Sequence, residues 1–278
     1  MESKPGTLYC KIFKMKNFLA LLFIIIFCSC QSIRNSLAFH PDTENTIPVG
    51  QLPNGVQEIF IESGDDVQLQ SYFIANKQSK RLLIYFHGNA GNISHRLKDL
   101  IQLKHLGVNV LGVSYRGYGK STGKVSEEGI YEDGTSTLEY AVQKLGFPLS
   151  EIYILGRSIG STVAINTSQH KSLAGLILVT PLSSGSEQAK AMGLGSVSSL
   201  AGNSFNNMSK VKNIKCPTLI IHGTNDRVIP FFMGQEIYQN LNTLKTFVSI
   251  KDAGHNNLST DYSRQYWLAI YNFILKTK

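Results

Sequence analysis

Residues 152–161 read Ile-Tyr-Ile-Leu-Gly-Arg-Ser-Ile-Gly-Ser, an apolar run that leads into Gly156-Arg-Ser158-Ile-Gly160. Apolar and β-branched residues favour a strand, and the small residues after Gly160 suit a closely packed helix. A nucleophilic serine has to project from a tight strand-to-helix turn, and flanking glycines make room for that turn. A helix N-terminus behind the serine favours developing negative charge. The stretch therefore predicts Ser158 as a nucleophile; the alternative is a tight turn with an incidental serine.

On both sides of this stretch, short apolar runs alternate with longer helical segments. Val56–Ile61 and Val67–Ile74 alternate apolar with polar residues and predict an antiparallel hairpin. Nearly continuous apolar runs, typical of strands buried on both faces, occupy Leu82–Phe86, Val108–Tyr115, Ile152–Leu155, Leu173–Thr180, Thr218–Ile221 and Thr246–Ile250. Helices are predicted near 93–106, 126–145, 159–169, 231–241 and 260–276. The order predicts an α/β fold with a mostly parallel eight-stranded sheet flanked by helices. Ligand sites of such folds lie beyond the carboxyl ends of the strands.

One segment, residues 181–213, breaks this alternation. It is rich in Ser, Gly, Asn and Met and has no strong period. A stretch of this length without clear structure inside a compact domain is usually a lid or a binding loop. It is too short for a large cap domain. Its apolar residues suit an acyl group, and they suit packing against the core equally well.

A general base and an orienting acid are expected after the last strands, in the chain order Ser, Asp, His. His255 follows the last predicted strand, from where it can reach the serine, take the hydroxyl proton and return it to the leaving group. Asp226 lies in a polar turn after the seventh strand and would hold the imidazole in the required tautomer. Its alternative role is to cap the next helix. Asp252 is the rival acid, three residues before His255.

The loop after the third strand, His87-Gly-Asn89-Ala90-Gly-Asn92, predicts an oxyanion hole. Its glycines let backbone N–H groups approach a substrate. We assign the hole to the backbone N–H groups of Asn89 and Ile159, with Ala90 as the near alternative to Asn89. Losing one such donor typically costs about 3 kcal/mol of transition-state stabilisation. We expect His87 to shape the turn through hydrogen bonds rather than to take part in catalysis.

Composition and motifs exclude several other classes of function. The net charge is +8, but the basic residues form no stripe and no nucleic-acid-reading motif is present. Gly117-Tyr-Gly-Lys-Ser121 resembles the end of a phosphate loop, yet that pattern requires glycine where Ser114 stands. The seven histidines show no metal-ligand spacing. We therefore expect neither a metal, a cofactor nor a nucleic-acid partner.

The N-terminus predicts where the protein is located. Residues 18–28 form an unbroken apolar run behind three lysines, as in a secretory signal that begins at Met1 or at Met15. Ser29-Cys30 directly after the run resembles the lipobox of bacterial lipoproteins, which predicts a diacylated Cys30; the alternatives are an ordinary cleaved signal or an uncleaved anchor. The predicted organisation is a lipoprotein-type signal peptide at 1–29, a tether at 30–54 and one folded domain at 55–278. We expect an extracytoplasmic bacterial lipoprotein held at a membrane.

The five ordered motifs identify a resemblance to a known family. They are His87–Asn92, Ser114–Gly123, Gly156–Gly160, His222–Asp226 and Gly254-His255. Together they resemble a subgroup of the α/β-hydrolase-domain serine hydrolases that includes membrane-associated protein depalmitoylases and bacterial relatives, over residues 56–276. The resemblance implies the α/β-hydrolase fold and the hydrolysis of carboxylic or thio esters of acyl chains.

Two other functions remain open at this point. One is a serine peptidase of the same fold, which would need a charged pocket for a peptide terminus. The other is a catalytically silent lipoprotein that binds a ligand. A complete set of Ser158, Asp226 and His255 favours the esterase, because a silent relative usually lacks one member.

Overall fold

The computed structural model describes residues 35, 38–48, 50–195, 198 and 202–277. Met1, the apolar run 18–28 and Cys30 lie outside this part, so the signal peptide and the lipidation site remain predictions. In the described part no helix has the length and apolarity needed to cross a membrane.

Eight strands form one sheet. They are β1 (Val56–Ser63), β2 (Val67–Ile74), β3 (Leu82–Phe86), β4 (Asn109–Val113), β5 (Ile152–Arg157), β6 (Gly175–Val179), β7 (Thr218–Gly223) and β8 (Lys245–Ile250). The strand order is β1-β2-β4-β3-β5-β6-β7-β8. β1 pairs with β2 and β2 with β4 in antiparallel fashion, and the other neighbours are parallel. The predicted eight-stranded, mostly parallel sheet is confirmed.

Helices cover both faces of this sheet, as the predicted α/β class requires. They are α1 (Leu97–His105), α2 (Glu127–Gln143), α3 (Gly160–Ser168), α4 (Gly185–Ala191), α5 (Asn207–Lys210), α6 (Phe231–Asn240) and α7 (Ser263–Lys276). The helix predicted from residue 93 starts as a separate 3-10 turn, Ile93–Arg96, that Asn92 caps through its side chain. The strands at the centre of the sheet have no exposed residue; β3, β4, β6 and β7 are buried throughout.

The segment 181–213 contains more regular structure than its composition predicts. It forms the short helices α4 and α5 and a 3-10 turn at Val211–Asn213; residues 196, 197 and 199–201 lie outside the described part. Its apolar residues divide into two groups. Phe205 is buried, whereas Met192 is 66% exposed and Leu194 is 46% exposed. Part of the segment therefore packs against the core, and part faces solvent.

Residues 40–47, which fall within the predicted tether, lie against the domain. The backbone N–H of His40 donates to Asn89, and the backbone N–H of Thr46 donates to Ser94. Ile47 packs against the hydrophobic core.

Candidate active site

Three side chains named from the sequence meet at the carboxyl ends of the parallel strands. Ser158 follows β5, Asp226 follows β7, and His255 follows β8. Parallel strands end at one edge of a sheet, so residues about 30 to 100 positions apart in the chain become neighbours there.

Ser158 occupies the sharp turn between β5 and α3. Its φ is +55°, in the left-handed region that a non-glycine residue rarely adopts. Its backbone N–H donates to the carbonyl oxygen of Val179 at 2.9 Å, which fixes the turn to β6. This conformation projects the hydroxyl away from the sheet at the N-terminus of α3.

The two glycines that flank Ser158 are required by close packing. A Cβ on Gly160 would lie 2.3 Å from the carbonyl oxygen of Phe86, and a Cβ on Gly156 would lie 2.3 Å from the carbonyl oxygen of Gly160. Neither distance is possible for a real side chain. The glycines therefore let α3 approach β3 and β5 closely enough to hold the turn in place.

A chain of two hydrogen bonds joins the three side chains. The Nδ1 of His255 lies 2.8 Å from Oδ2 of Asp226, and its Nε2 lies 3.1 Å from Oγ of Ser158. An ionised carboxylate only accepts, so Nδ1 carries the proton and Nε2 presents its lone pair to the serine hydroxyl. In this tautomer His255 can accept the hydroxyl proton of Ser158.

Asp226 is held by bonds to both of its oxygen atoms. Oδ1 accepts the backbone N–H groups of Val228 and Ile229 at 2.9 Å each. Oδ2 lies near His222 Nε2 at 3.5 Å, in addition to its bond with His255. Burial alone would raise the pKa of Asp226, but the hydrogen bonds from His222 and His255 outweigh it and lower this pKa well below its usual value. The carboxylate is therefore ionised at neutral pH.

The rival acid, Asp252, occupies a different environment. It is exposed, and its backbone N–H donates to Oγ1 of Thr224. Among the described residues, the carboxylate that His255 contacts is that of Asp226. The preference for Asp226 over Asp252 thus agrees with the geometry.

The two residues predicted to supply oxyanion donors, Asn89 and Ile159, belong to the two segments next to Ser158. Ile159 follows the serine directly and precedes the first turn of α3. Asn89 belongs to the loop after β3, and a Cβ on the neighbouring Gly88 would lie 3.4 Å from Cβ of Ser158. The side chain of Asn89 accepts the hydroxyl of Tyr118 at 2.8 Å. The loop therefore borders the space in front of the serine.

His87 has the structural environment expected from the sequence. It is fully buried, its Nδ1 lies 2.6 Å from the carbonyl oxygen of Gly88, and its own carbonyl oxygen accepts the hydroxyl of Tyr115. Burial lowers the pKa of His87 to about 3. The ring is thus neutral at physiological pH and stabilises the loop.

Two functional contacts were not assigned from the sequence. Nη2 of Arg157 donates to the carbonyl oxygen of His255 at 3.1 Å and so holds the loop that carries His255. Nε2 of His222 donates to the carbonyl oxygen of Ile229 at 2.9 Å and faces Asp226. Arg157 occupies the variable position before the serine, and its partner is 98 residues away, so no local pattern indicates its role.

Among the residues that the structure describes, no three His, Cys, Asp or Glu side chains are placed to hold a metal ion.

Comparison with protein families and relatives gives consistent results. A family model described as "Serine aminopeptidase, S33" matches residues 77–209, which include Ser158 and end before Asp226. The chain is 37% identical over 177 residues to "Alpha/beta hydrolase domain-containing protein aho-3" of Caenorhabditis elegans, covering 63% of this chain and 52% of the relative. The chain thus spans about half the length of that relative. It is 31% identical over 204 residues to "Protein bem46" of Schizosaccharomyces pombe, covering 69% of this chain and 68% of the relative.

Solved structures share the same architecture. The Pyrococcus furiosus esterase Pf2001 superposes with a TM-score of 0.70 at 20% identity, over 86% of this chain and 98% of the esterase. An α/β hydrolase from Vibrio vulnificus superposes with a TM-score of 0.71 at 20% identity, over 86% of this chain and 92% of that protein. At this level of identity the likeness concerns the fold.

Proposed function

Because the chain belongs to the α/β-hydrolase family of serine hydrolases, we propose that it cleaves carboxylic or thio esters. Ser158 is the nucleophile, His255 the general base and Asp226 the acid that orients the imidazole. The observation that carries the proposal is the continuous hydrogen-bond chain, 3.1 Å from Ser158 to His255 and 2.8 Å from His255 to Asp226. It starts from a half-buried serine whose backbone φ is +55°.

The reaction proceeds through an acyl-enzyme. Oγ of Ser158 attacks the carbonyl carbon of the ester while its proton passes to Nε2 of His255. The tetrahedral intermediate collapses, the bond to the alcohol or thiol breaks, and the leaving group takes the proton from His255. Water then gives a proton to His255 and attacks the acyl carbon. The acid departs, and the proton returns to Ser158.

Negative charge on the carbonyl oxygen is stabilised by two backbone groups in this proposal. The N–H of Ile159 and the N–H of Asn89 donate to the oxyanion, and the N-terminus of α3 adds its dipole. Asp226 stays ionised because of its lowered pKa. It stabilises the imidazolium that forms while His255 holds the proton.

Labelling with a fluorophosphonate probe tests the nucleophile. We expect the probe to modify Ser158, as located by mass spectrometry, and the Ser158→Ala variant to remain unmodified. Ser168→Ala is the matched control, because Ser168 is buried at the end of α3 and its Oγ has no hydrogen-bond partner in the described part of the chain. This variant should label as the wild type does. A folded wild-type protein without label would overturn the enzymatic proposal and favour a non-catalytic ligand-binding protein.

A second candidate activity comes from the description of the matching family, which names an aminopeptidase. Two sets of chromogenic substrates distinguish the two activities. The p-nitrophenyl acyl esters report ester hydrolysis, and the aminoacyl p-nitroanilides report amide hydrolysis. We expect hydrolysis of the esters and no measurable release of p-nitroaniline from the anilides. Turnover of the anilides would make the protein a peptidase.

We also propose that the protein is a membrane-anchored lipoprotein, acylated on Cys30. The support is the apolar run 18–28 followed by Ser29-Cys30. In cells given an alkyne-labelled fatty acid, Cys30→Ala should lose both the label and its place in the membrane fraction. Cys28→Ala removes the neighbouring cysteine and should retain both. Label that persists in Cys30→Ala would exclude this site.

A further inference from the structure

A short stretch before the first strand, residues 40–47, crosses the loop that carries a proposed oxyanion donor. We call this stretch the N-terminal arm, and we call residues 87–95 the oxyanion loop. Three residues of the oxyanion loop receive or make hydrogen bonds with the arm: Asn89, Asn92 and Ser94. The partners are 48 to 50 residues apart in the chain.

Asn92 forms the centre of this contact. It is completely buried. Its Nδ2 donates to the carbonyl oxygens of Asp42 at 3.0 Å and of Glu44 at 2.6 Å, so both amide hydrogens are bound to the arm. Its Oδ1 accepts the backbone N–H of Ser94 at 2.9 Å and the hydroxyl of Ser94 at 2.6 Å. Without the arm, two buried donors would lack partners, which is unfavourable.

The side chain of Asn89 forms a second contact with the arm. Its Oδ1 accepts the backbone N–H of His40 at 3.0 Å and the hydroxyl of Tyr118 at 2.8 Å. These bonds fix the side chain of the residue whose own backbone N–H is assigned to the oxyanion. The side chain of Asn89 is thus held by two contacts outside the loop.

The arm is also fastened to its surroundings. The carbonyl oxygen of Asp42 accepts the backbone N–H of Gly119 at 2.8 Å, and the carboxylate of Asp42 lies 3.6 Å from Nε2 of His95. The backbone N–H of Thr46 donates to Oγ of Ser94 at 3.0 Å. The contact therefore involves several points along the arm rather than one bond.

We propose that the N-terminal arm is a positioning element for the reaction, which holds the oxyanion loop so that the N–H of Asn89 points at the developing oxyanion. The inference rests on the proposed function. Oxyanion donors act by being fixed in place before the reaction, and small misplacements lower the rate strongly. Loosening the arm therefore lowers kcat more than it raises KM. The side chain of Asn92 and the backbone N–H of His40 position the oxyanion loop and do not touch the substrate, and the side chain of His40 has no part in this contact.

Replacing His40 by two different residues separates its backbone from its side chain. His40→Pro removes the N–H that Asn89 accepts, and because position 40 precedes Pro41 its backbone already favours the extended region that proline adopts. His40→Ala keeps the N–H and removes only the exposed imidazole. In the full-length chain, kcat for a p-nitrophenyl acyl ester should fall at least about fivefold in His40→Pro with KM within about twofold. His40→Ala should match the wild type.

A second variant keeps the inference testable if His40→Pro does not fold. Asn92→Ala removes both bonds to the arm together with the cap of the turn Ile93–Arg96, and it should lower kcat at least about tenfold, again with little change in KM. Thr43→Ala alters an exposed arm residue and should have wild-type kinetics. Thermal unfolding of each variant checks that the protein is folded at the assay temperature.

The outcomes distinguish the inference from the proposed function. A wild-type protein that hydrolyses no ester and takes up no fluorophosphonate contradicts the function itself. An active wild type with folded His40→Pro and Asn92→Ala variants of unchanged kcat overturns the role of the arm. A change confined to KM overturns it as well, because it would place the arm in substrate binding rather than in the orientation of Asn89.

Discussion

Asp226 uses both oxygen atoms, and each has a separate task. Oδ1 is bound by the backbone of Val228 and Ile229, which fixes the carboxylate in its turn. Oδ2 is left to bind Nδ1 of His255. The sequence leaves two roles open for Asp226, an acid that orients His255 or a cap for the following helix. The structure shows that one carboxylate can hold its own turn and the imidazole together.

Replacing Asp226 by Asn should preserve the turn and impair the proposed chemistry. An amide can still face His255, but its NH2 group favours the tautomer with the proton on Nε2, which cannot accept the proton of Ser158. We expect kcat to fall by about 10³–10⁴. Steady-state hydrolysis of a p-nitrophenyl ester gives the measurement. The control is Asp252→Asn, which changes the rival carboxylate and should retain wild-type kcat. Equal losses in the two variants would contradict the assignment of Asp226.

At the scale of elements, the unit that positions Ser158, the proposed nucleophile, is β5 with α3 and the turn between them. Gly160 lies where α3 begins and where the carbonyl oxygens of Phe86 and His87 approach most closely. The helix thus contacts β3 and the start of the oxyanion loop through a residue without a side chain. The contact of Gly160 with Phe86 and His87 therefore positions both the turn that carries Ser158 and the oxyanion loop.

Gly160→Ala should disturb both parts together. Its Cβ would lie 2.3 Å from the Phe86 oxygen and 2.6 Å from the His87 oxygen, so the backbone has to move. We expect a loss of about 1–3 kcal/mol in the free energy of unfolding, measured with urea, and slower labelling of Ser158 by fluorophosphonate. Gly195→Ala is the control, because a Cβ there would meet no atom of the described residues within 4 Å. Wild-type stability and labelling in Gly160→Ala would mean that the packing at this turn is not needed.

Elements with a local signal could be predicted from the sequence, and contacts between distant residues could not. A strand that is buried along its whole length has a continuous apolar sequence. The predicted strand Leu82–Phe86 therefore has the same bounds as β3, and the predicted strand Thr218–Ile221 ends two residues before β7 does. The polar, proline-containing composition of the arm predicts a tether. Its structure comes from backbone groups bonded to Asn89 and Asn92, about fifty positions away. The same holds for Arg157 and the loop of His255.

At the scale of the whole molecule, the burial of His87 links the stability of the fold to pH. Burial lowers the pKa of this imidazole from 6.5 to about 3. As the pH falls below 6.5, the unfolded chain binds a proton that the folded protein does not bind until about pH 3. The free energy of unfolding therefore decreases over this window as the pH falls. One proton corresponds to about 1.4 kcal/mol per pH unit.

The slope of stability against pH tests this link. Asn at position 87 can still donate to the carbonyl oxygen of Gly88, but it does not titrate. Between pH 5.5 and 4.5, where the proton on unfolded His87 is largely bound and most carboxylates are still ionised, the wild type should lose about 1.4 kcal/mol more than His87→Asn. Urea unfolding at each pH measures both proteins. Parallel curves for the wild type and His87→Asn would show that the folded protein binds this proton as readily as the unfolded chain does. The imidazole would then be accessible to water, which contradicts its burial.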